Sequence, residues 1–322
     1  MHPQQETLVA EMSSLIQKGV SAHAYLLTGS RGVGKRNIVE AIIQNVISGI
    51  SDSVSDDTQY PFSFKTPHPD VLVIERAQDA TGIVLEDIQQ AHQRLLHHPV
   101  FVPWNIVALF DVQQMNTQAG NAFLKLLEEP PPSALIFLTA TTTSSLLPTI
   151  VSRCHRIKIP TVPHDALAEY LREKGAEPSR ASWIAALSQG RSAFAETLLD
   201  ESVWEETLSL IRNILPIISS DLPAGFHAIE AYSKEKEAYQ RACGILLSLL
   251  RDLIMLKISP SLPLVNEWLS SELALLKDRF SLDRLTGCMS ALLKEQEYLS
   301  IALHRRLRLE DVFLLFHHPV SV

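Results

Sequence analysis

The stretch "HAYLLTGSRGVGKRNIVEAIIQNVI", His23 to Ile47, decides the fold. Its first six residues, His23 to Thr28, form a short apolar run suited to a strand, and the segment behind the glycines places Ile38, Ile42 and Val46 on one helical stripe. Between them Gly29, four residues, Gly34 and Lys35 make the pattern of a phosphate-binding loop, with Gly32 inside it. Glycine lets the backbone aim N–H groups at phosphate oxygens. The helix N-terminus adds partial positive charge, and the lysine reaches the terminal phosphates. Arg36 then breaks the pattern. Its position ordinarily carries Ser or Thr, whose hydroxyl ligates Mg²⁺, whereas a guanidinium is a permanent cation with no acceptor. Either Arg36 faces the pocket and repels a metal ion, or it turns outward and leaves a weak nucleotide site.

Outward from this loop, the first 160 residues alternate short apolar runs with amphipathic ones, the pattern of a parallel sheet covered by helices on both faces. "DVLVIE" (Asp70 to Glu75) reads as a second strand. The helix after it carries Leu85, Ile88, Ala91 and Leu95 at helical spacing and stops before Pro99. "NIVALFD" (Asn105 to Asp111) is a third strand, doubly buried. A helix capped by Asn116 or Thr117 and ended by prolines follows, and "ALIFLTA" and "HRIKI" complete the sheet. Asp111 stands where a carboxylate would hold Mg²⁺ through water, but the neighbouring position that needs a Glu to polarise an attacking water holds Val112. Glu128 and Glu129 sit at the end of the next helix and read as a solvated helix end.

Beyond residue 161 the strand signals vanish. Three short helices separated by glycine stops make a small bundle over 161–202, and longer helices fill 203–322. One of these, "EAYQRACGILLSLLRDLIMLKI", is apolar on nearly every face, so it is buried either inside its own domain or between subunits. Ser48 to Ser63 is polar and reads as an exposed loop.

Composition narrows the function. With 322 residues, 46% hydrophobic and 20% charged, the chain is expected to form two or three soluble domains. A formal charge of −8 repels nucleic acid at long range and there is no compensating basic cluster. Cys154, Cys243 and Cys288 are scattered, with no C-x-x-C pair, which argues against disulfides and zinc. His68 lacks partner ligands at suitable spacing, so the "PHP" stretch around it reads as a turn, and no metal site is expected. The opening residues lack the blocks of a secretory signal, and the uncharged run Pro130 to Ser152 contains four prolines unsuited to lipid; the expectation is a cytoplasmic protein with no membrane contact.

The loop, "HPDVLVI", "NAFLKLLEEPP" and "LLPTIVSRCHRIKI" (Leu146 to Ile159), in this order and spacing, resemble the clamp-loader branch of the AAA+ ATPases over residues 1 to about 200. The resemblance implies an AAA+ α/β domain (1–160), a helical lid (161–202) and an all-α collar that joins subunits (203–322). It also implies that Arg153, in Ser152-Arg153-Cys154, is an arginine finger reaching the γ-phosphate of ATP on a neighbour; an isolated Ser-Arg-Cys would instead suggest a salt bridge. The lid arginine of active members aligns with Ala193, while Arg191, two positions earlier, would face another way on a helix. Many relatives carry a four-cysteine zinc module before the "HPD" strand, but Ser48 to Thr66 contains no cysteine, so zinc is not expected.

The expected function is therefore a non-hydrolysing stator in DNA replication. Its partners would be gamma/tau and delta clamp-loader subunits, with the sliding clamp and primer-template DNA contacted indirectly. Gly29, Gly32, Gly34, Lys35, Arg36 and Asp111 would form a degenerate nucleotide site, holding ATP or ADP weakly if at all. Two alternatives stay open: an active gamma/tau-type motor, opposed by Arg36, Val112 and Ala193, and a nucleotide-sensing scaffold outside replication.

Overall fold

The computed structural model describes residues 1–19, 22–51, 62–66, 68–75, 82–219, 225–226, 229–230, 233, 236–259, 262, 264–297 and 305–317. The chain divides into two compact units, Met1–Leu167 with Gly190–Phe194, and Ala168–Gln189 with Ala195–Val322.

Five parallel strands carry the first unit: β1 (Ala24–Thr28), β2 (Val71–Ile74), β3 (Asn105–Leu109), β4 (Ala134–Ala140) and β5 (His155–Lys158), in the order β2-β3-β4-β1-β5. β1, β3 and β4 are buried along their full length, because helices cover both faces. Period-two alternation divides their side chains between two clusters. Tyr25, Leu27, Ile106 and Phe137 meet Ile38, Ile42 and Val46 of α2 (Lys35–Ser51). Leu26, Val107, Leu109 and Ile136 meet Ile88, Ala91 and Leu95 of α3 (Leu85–Leu96) and Phe123 of α4 (Thr117–Glu128). The helical stripes expected from sequence are therefore the core faces, except that Leu85, at the first position of α3, is only half-buried. Asn116 caps α4, its side chain accepting from the Ala119 N–H at 2.8 Å.

Three features depart from the sequence reading. A helix, α1 (Pro3–Gln17), precedes β1 and buries Gln5, Val9, Met12, Ser13 and Ile16; two polar members disguise its stripe. α2 extends through Ser48 to Ser51, beyond the expected loop start, and at the other end Phe62 is buried in the core; residues 52–61 of that loop lie outside the described residues. The uncharged run Pro130 to Ser152 contains β4 and also a short helix, α5 (Pro148–Ser152). Among the described residues no helix is long and apolar enough to cross a membrane.

The "HPD" segment is an anchor. Asp70 is fully buried, and its carboxylate accepts from the N–H groups of Val100, Phe101 and Val102 and from Arg94 at 3.4 Å. His68 Nδ1 accepts the Asp70 N–H at 3.1 Å, which keeps the turn into β2 tight; Pro67 lies outside the described residues. Burial pushes the His68 pKa down, so its imidazole acts as a neutral acceptor.

The remaining helices are α6 (His164–Glu173), α7 (Pro178–Ser188), α8 (Ser192–Thr197), α9 (Glu201–Ser219), α10 (Lys236–Ile258), α11 (Ser270–Leu276), α12 (Leu282–Glu297) and α13 (Arg305–His317). α10 is the axis of the second unit. Its residues Tyr239, Cys243, Leu246, Leu250 and Leu253 are buried with Ile214 of α9, Leu273 of α11, Cys288 of α12 and Phe313 of α13. Of the two fates open to this all-apolar helix, the interior of its own chain accounts for the burial.

Candidate functional site: a nucleotide-type loop and an exported arginine

The loop Gly29–Gly34 runs from the end of β1 into α2, where a phosphate-binding loop must lie. At Gly29 a Cβ would stand 2.5 Å from the Ile159 carbonyl oxygen, so only glycine lets the chain after β5 pass. Gly32, at φ +81°, turns its carbonyl to accept the Phe194 N–H at 3.0 Å. Lys35 Nζ donates to the carbonyls of Gly29 at 2.6 Å and Ser30 at 3.1 Å. Burial lowers its pKa from the ordinary lysine value; Asp111 opposes that shift and Arg31 adds to it.

Two further segments grip the loop. Gln5 of α1 donates through Nε2 to the Val33 carbonyl at 2.7 Å and to Ser192 Oγ at 2.9 Å, and Ser192 Oγ itself donates to the Val33 carbonyl at 3.2 Å. The Ala193 Cβ lies 3.5 Å from the place a Cβ on Gly34 would occupy, so position 193 does abut the loop, with a methyl group where a guanidinium would be needed. Arg191 corrects the sequence reading. It precedes α8 instead of riding on it, stacks over the Phe194 ring at 4.7 Å, and its Cβ stands 3.5 Å from the Cβ position on Gly32. Helical spacing does not govern a residue outside the helix.

Arg36 is directed to the ends of β2 and β3. Its Nη1 pairs with Glu75, and its guanidinium lies over Phe64 at 5.0 Å and Phe110 at 5.3 Å. A solvent-exposed pair contributes roughly 0–1 kcal/mol, and each aromatic face adds about 0.5–1 kcal/mol. Together they favour this placement over a disordered one.

Asp111 sits in the left-handed region, φ 54° and ψ 48°, a conformation that aspartate tolerates better than most residues. Its N–H donates to Thr139 Oγ1 at 3.0 Å, its Oδ1 accepts from Gln113 Nε2 at 3.0 Å, and its Oδ2 faces Arg31 Nη2 at 3.8 Å. Val112 is buried in the core and offers no base. A Mg²⁺ site needs several oxygen ligands in an octahedron. Here position 36 supplies a cation and Asp111 is already matched by one, so the residues present do not fit Mg²⁺. Among the described residues no cluster of three or more His, Cys, Asp and Glu could hold a metal ion.

Arg153 occupies a different edge of the same unit. It caps the C-terminus of α5, and Cys154 beside it is buried in the core, where burial raises the thiol pKa to about 12. Arg153 Nη2 donates to Glu128 Oε1 at 2.7 Å; Nη1 donates to the Thr149 carbonyl at 3.1 Å and to Ser152 Oγ at 3.4 Å. Glu128 is half-exposed and Arg153 35% exposed, so the pair is of the weak surface kind. Glu128 is thus a solvated helix end, as expected, but also the finger candidate's partner. Sequence reasoning also missed Gln5, Glu75 and Thr139, which come to the loop only through the sheet order and α1. Arg156 is exposed on β5.

Sheet order, loop and strand-tip aspartate define the class: an AAA+-type P-loop domain followed by helices. A family model described as DNA polymerase III, delta subunit, matches residues 4–163. The DNA polymerase III subunit delta' of Pseudomonas aeruginosa is 27% identical over 229 residues, covering 70% of this chain and 69% of that protein. The delta' subunit of Bacillus subtilis is 21% identical over 264 residues, 80% and 79% of the two chains. The gamma/tau subunit of Mycobacterium tuberculosis is 24% identical over 285 residues, 80% of this chain but 49% of that one. Among solved structures, a gamma subunit-related protein of Thermotoga maritima superposes with a TM-score of 0.49 at 18% identity, over 97% of this chain and 98% of that one. The family model and the delta' relatives together support a delta-prime-like subunit of the DNA polymerase III clamp loader.

Proposed function

We propose that this chain is the non-hydrolysing stator of its clamp loader and lends Arg153 to the ATP site of an adjacent subunit. The observation that carries the proposal is the contrast in charge placement. At the chain's own loop, cations stand where magnesium ligands are needed: Arg36 follows Lys35 and is committed to Glu75, and Arg31 faces Asp111. At α5, a guanidinium is presented on a surface, held by a weak pair with Glu128 and by bonds to the Thr149 carbonyl and Ser152 Oγ. An arginine supplied in trans stabilises the charge that develops on a transferring phosphoryl group, and this asks nothing of the donor's own pocket. The partners would be gamma/tau-type and delta-type subunits, with 203–322 as the collar and 161–202 as the lid. Sliding clamp and primer-template DNA would be reached through the assembly.

The alternative of a gamma/tau-type motor has relatives of that name in its favour. Arg36, Val112 and Ala193 oppose it, since each removes a group that metal binding, water activation or nucleotide sensing requires. ATP turnover by the purified chain separates the two: the stator shows none above background. In the reconstituted complex, Arg153→Ala cuts hydrolysis at the neighbouring site by about 10³-fold or more, the range of arginine fingers supplied in trans, with assembly intact. An unchanged rate removes the finger assignment.

A further inference from the structure

Resting on that reading, we propose that Glu128 is a positioning residue for Arg153, setting the guanidinium's direction before any neighbour docks. Both partners stand on fixed elements. Glu128 is the last residue of α4, whose Phe123, Leu126 and Leu127 are in the core, and the three prolines 130–132 follow closely behind it. Arg153 ends α5, which is tied down by buried Ile150 and, on the other side, by buried Cys154. A surface arginine ordinarily samples many rotamers, and fixing one at the moment of reaction costs entropy. Here the bonds to Glu128 Oε1, the Thr149 carbonyl and Ser152 Oγ fix it in advance.

The donor count permits this without disarming the finger. A guanidinium has five N–H groups; three are engaged, all on Nη1 and Nη2, which leaves two, one of them on Nε. Those two are enough for a forked contact to phosphate oxygens. The Glu128 carboxylate also adds negative charge near an incoming polyphosphate, an unfavourable effect. Solvent and salt screen that longer-range effect at an exposed position more than they weaken direct hydrogen bonds, two of them to the uncharged Thr149 carbonyl and Ser152 Oγ, so orientation wins.

The test compares Glu128→Ala, Glu128→Gln and Arg153→Ala in the reconstituted clamp loader, with co-elution of all subunits checked for each. Glu128→Ala should lower kcat for ATP by up to about fivefold, the ceiling for a surface pair, at unchanged KM. Glu128→Gln, which keeps the acceptor, should recover most of the loss. A kcat unchanged or raised in Glu128→Ala would overturn the proposal, as would Gln proving as damaging as Ala. A rate unaffected by Arg153→Ala removes the finger reading itself. In that case, as in every other, ¹⁵N relaxation of Arg153 Nε in the isolated chain decides the positioning: ordered in wild type and mobile in Glu128→Ala, or equally mobile in both, which sinks it.

Discussion

Two guanidinium–carboxylate pairs on the same domain have opposite consequences. Arg36 with Glu75 and Arg153 with Glu128 are similar in chemistry and similarly accessible to solvent. Arg36, however, lies over two aromatic rings, which hold its flat face, and it follows directly on the lysine of the loop. Among the described residues Arg153 has no ring beneath it and keeps two N–H groups unspent, and it is flanked by a buried cysteine that fixes its backbone. On the proposed stator reading, the same kind of ion pair would close one site and equip another. What differs is the surroundings, not the pair.

The largest expected effect tests that difference directly. Arg153→Ala should remove about three decades of rate at the neighbouring site, about 4 kcal/mol of transition-state stabilisation, without moving the melting temperature. Were stability to fall in parallel, the arginine would belong to the fold and the contrast would fail.

Next in size is the loop's own support. Gln5→Ala removes two buried hydrogen bonds, to the Val33 carbonyl and to Ser192 Oγ, while the Ser192–Val33 bond remains, and should cost about 1–3 kcal/mol in a denaturant titration of the whole chain. No measurable loss would mean that the grip of α1 on the loop is incidental.

Arg36→Thr is the attempt to reverse the comparison. It restores a hydroxyl beside Lys35 and should lower stability by about 1–2 kcal/mol, from the lost pair and ring contacts. It should not create ATP turnover, because Val112 still supplies no base and Arg31 still faces Asp111. Turnover in this single variant would reassign the chain as a motor.

The smallest effect concerns pH. Cys154 titrates near 12 in the fold against about 9 when exposed, and burial is the cause. The folded state thus holds the proton more tightly, so the contribution is intact below about pH 9 and is lost as pH rises toward 12. Cys154→Ala should flatten that part of the alkaline stability profile, and in the wild type the thiol should resist alkylation at pH 8 while the protein is folded.

Much of this molecule could be read from its chain. Strand, glycine loop and helix were legible at His23 to Ile47 because the steric and hydrogen-bonding demands of phosphate loops are local, and periodicity in α2 and α3 named core faces correctly for the same reason. α1 was hidden, because Gln5 and Ser13 occupy buried positions that an apolar template rejects. Arg191 escapes helical spacing because it precedes the first residue of α8.

The sequence by itself determined the parallel sheet, the loop and the absence of a hydroxyl at 36 and of a carboxylate at 112, since residue identity and near-neighbour spacing suffice for those. Only the tertiary structure decided that Arg36 answers Glu75, that Gln5 and Ser192 share Val33, and that Glu128 meets Arg153. These partners lie 25 to 187 residues apart, and their pairing follows from strand order and helix ends brought together by burial, which no local pattern encodes.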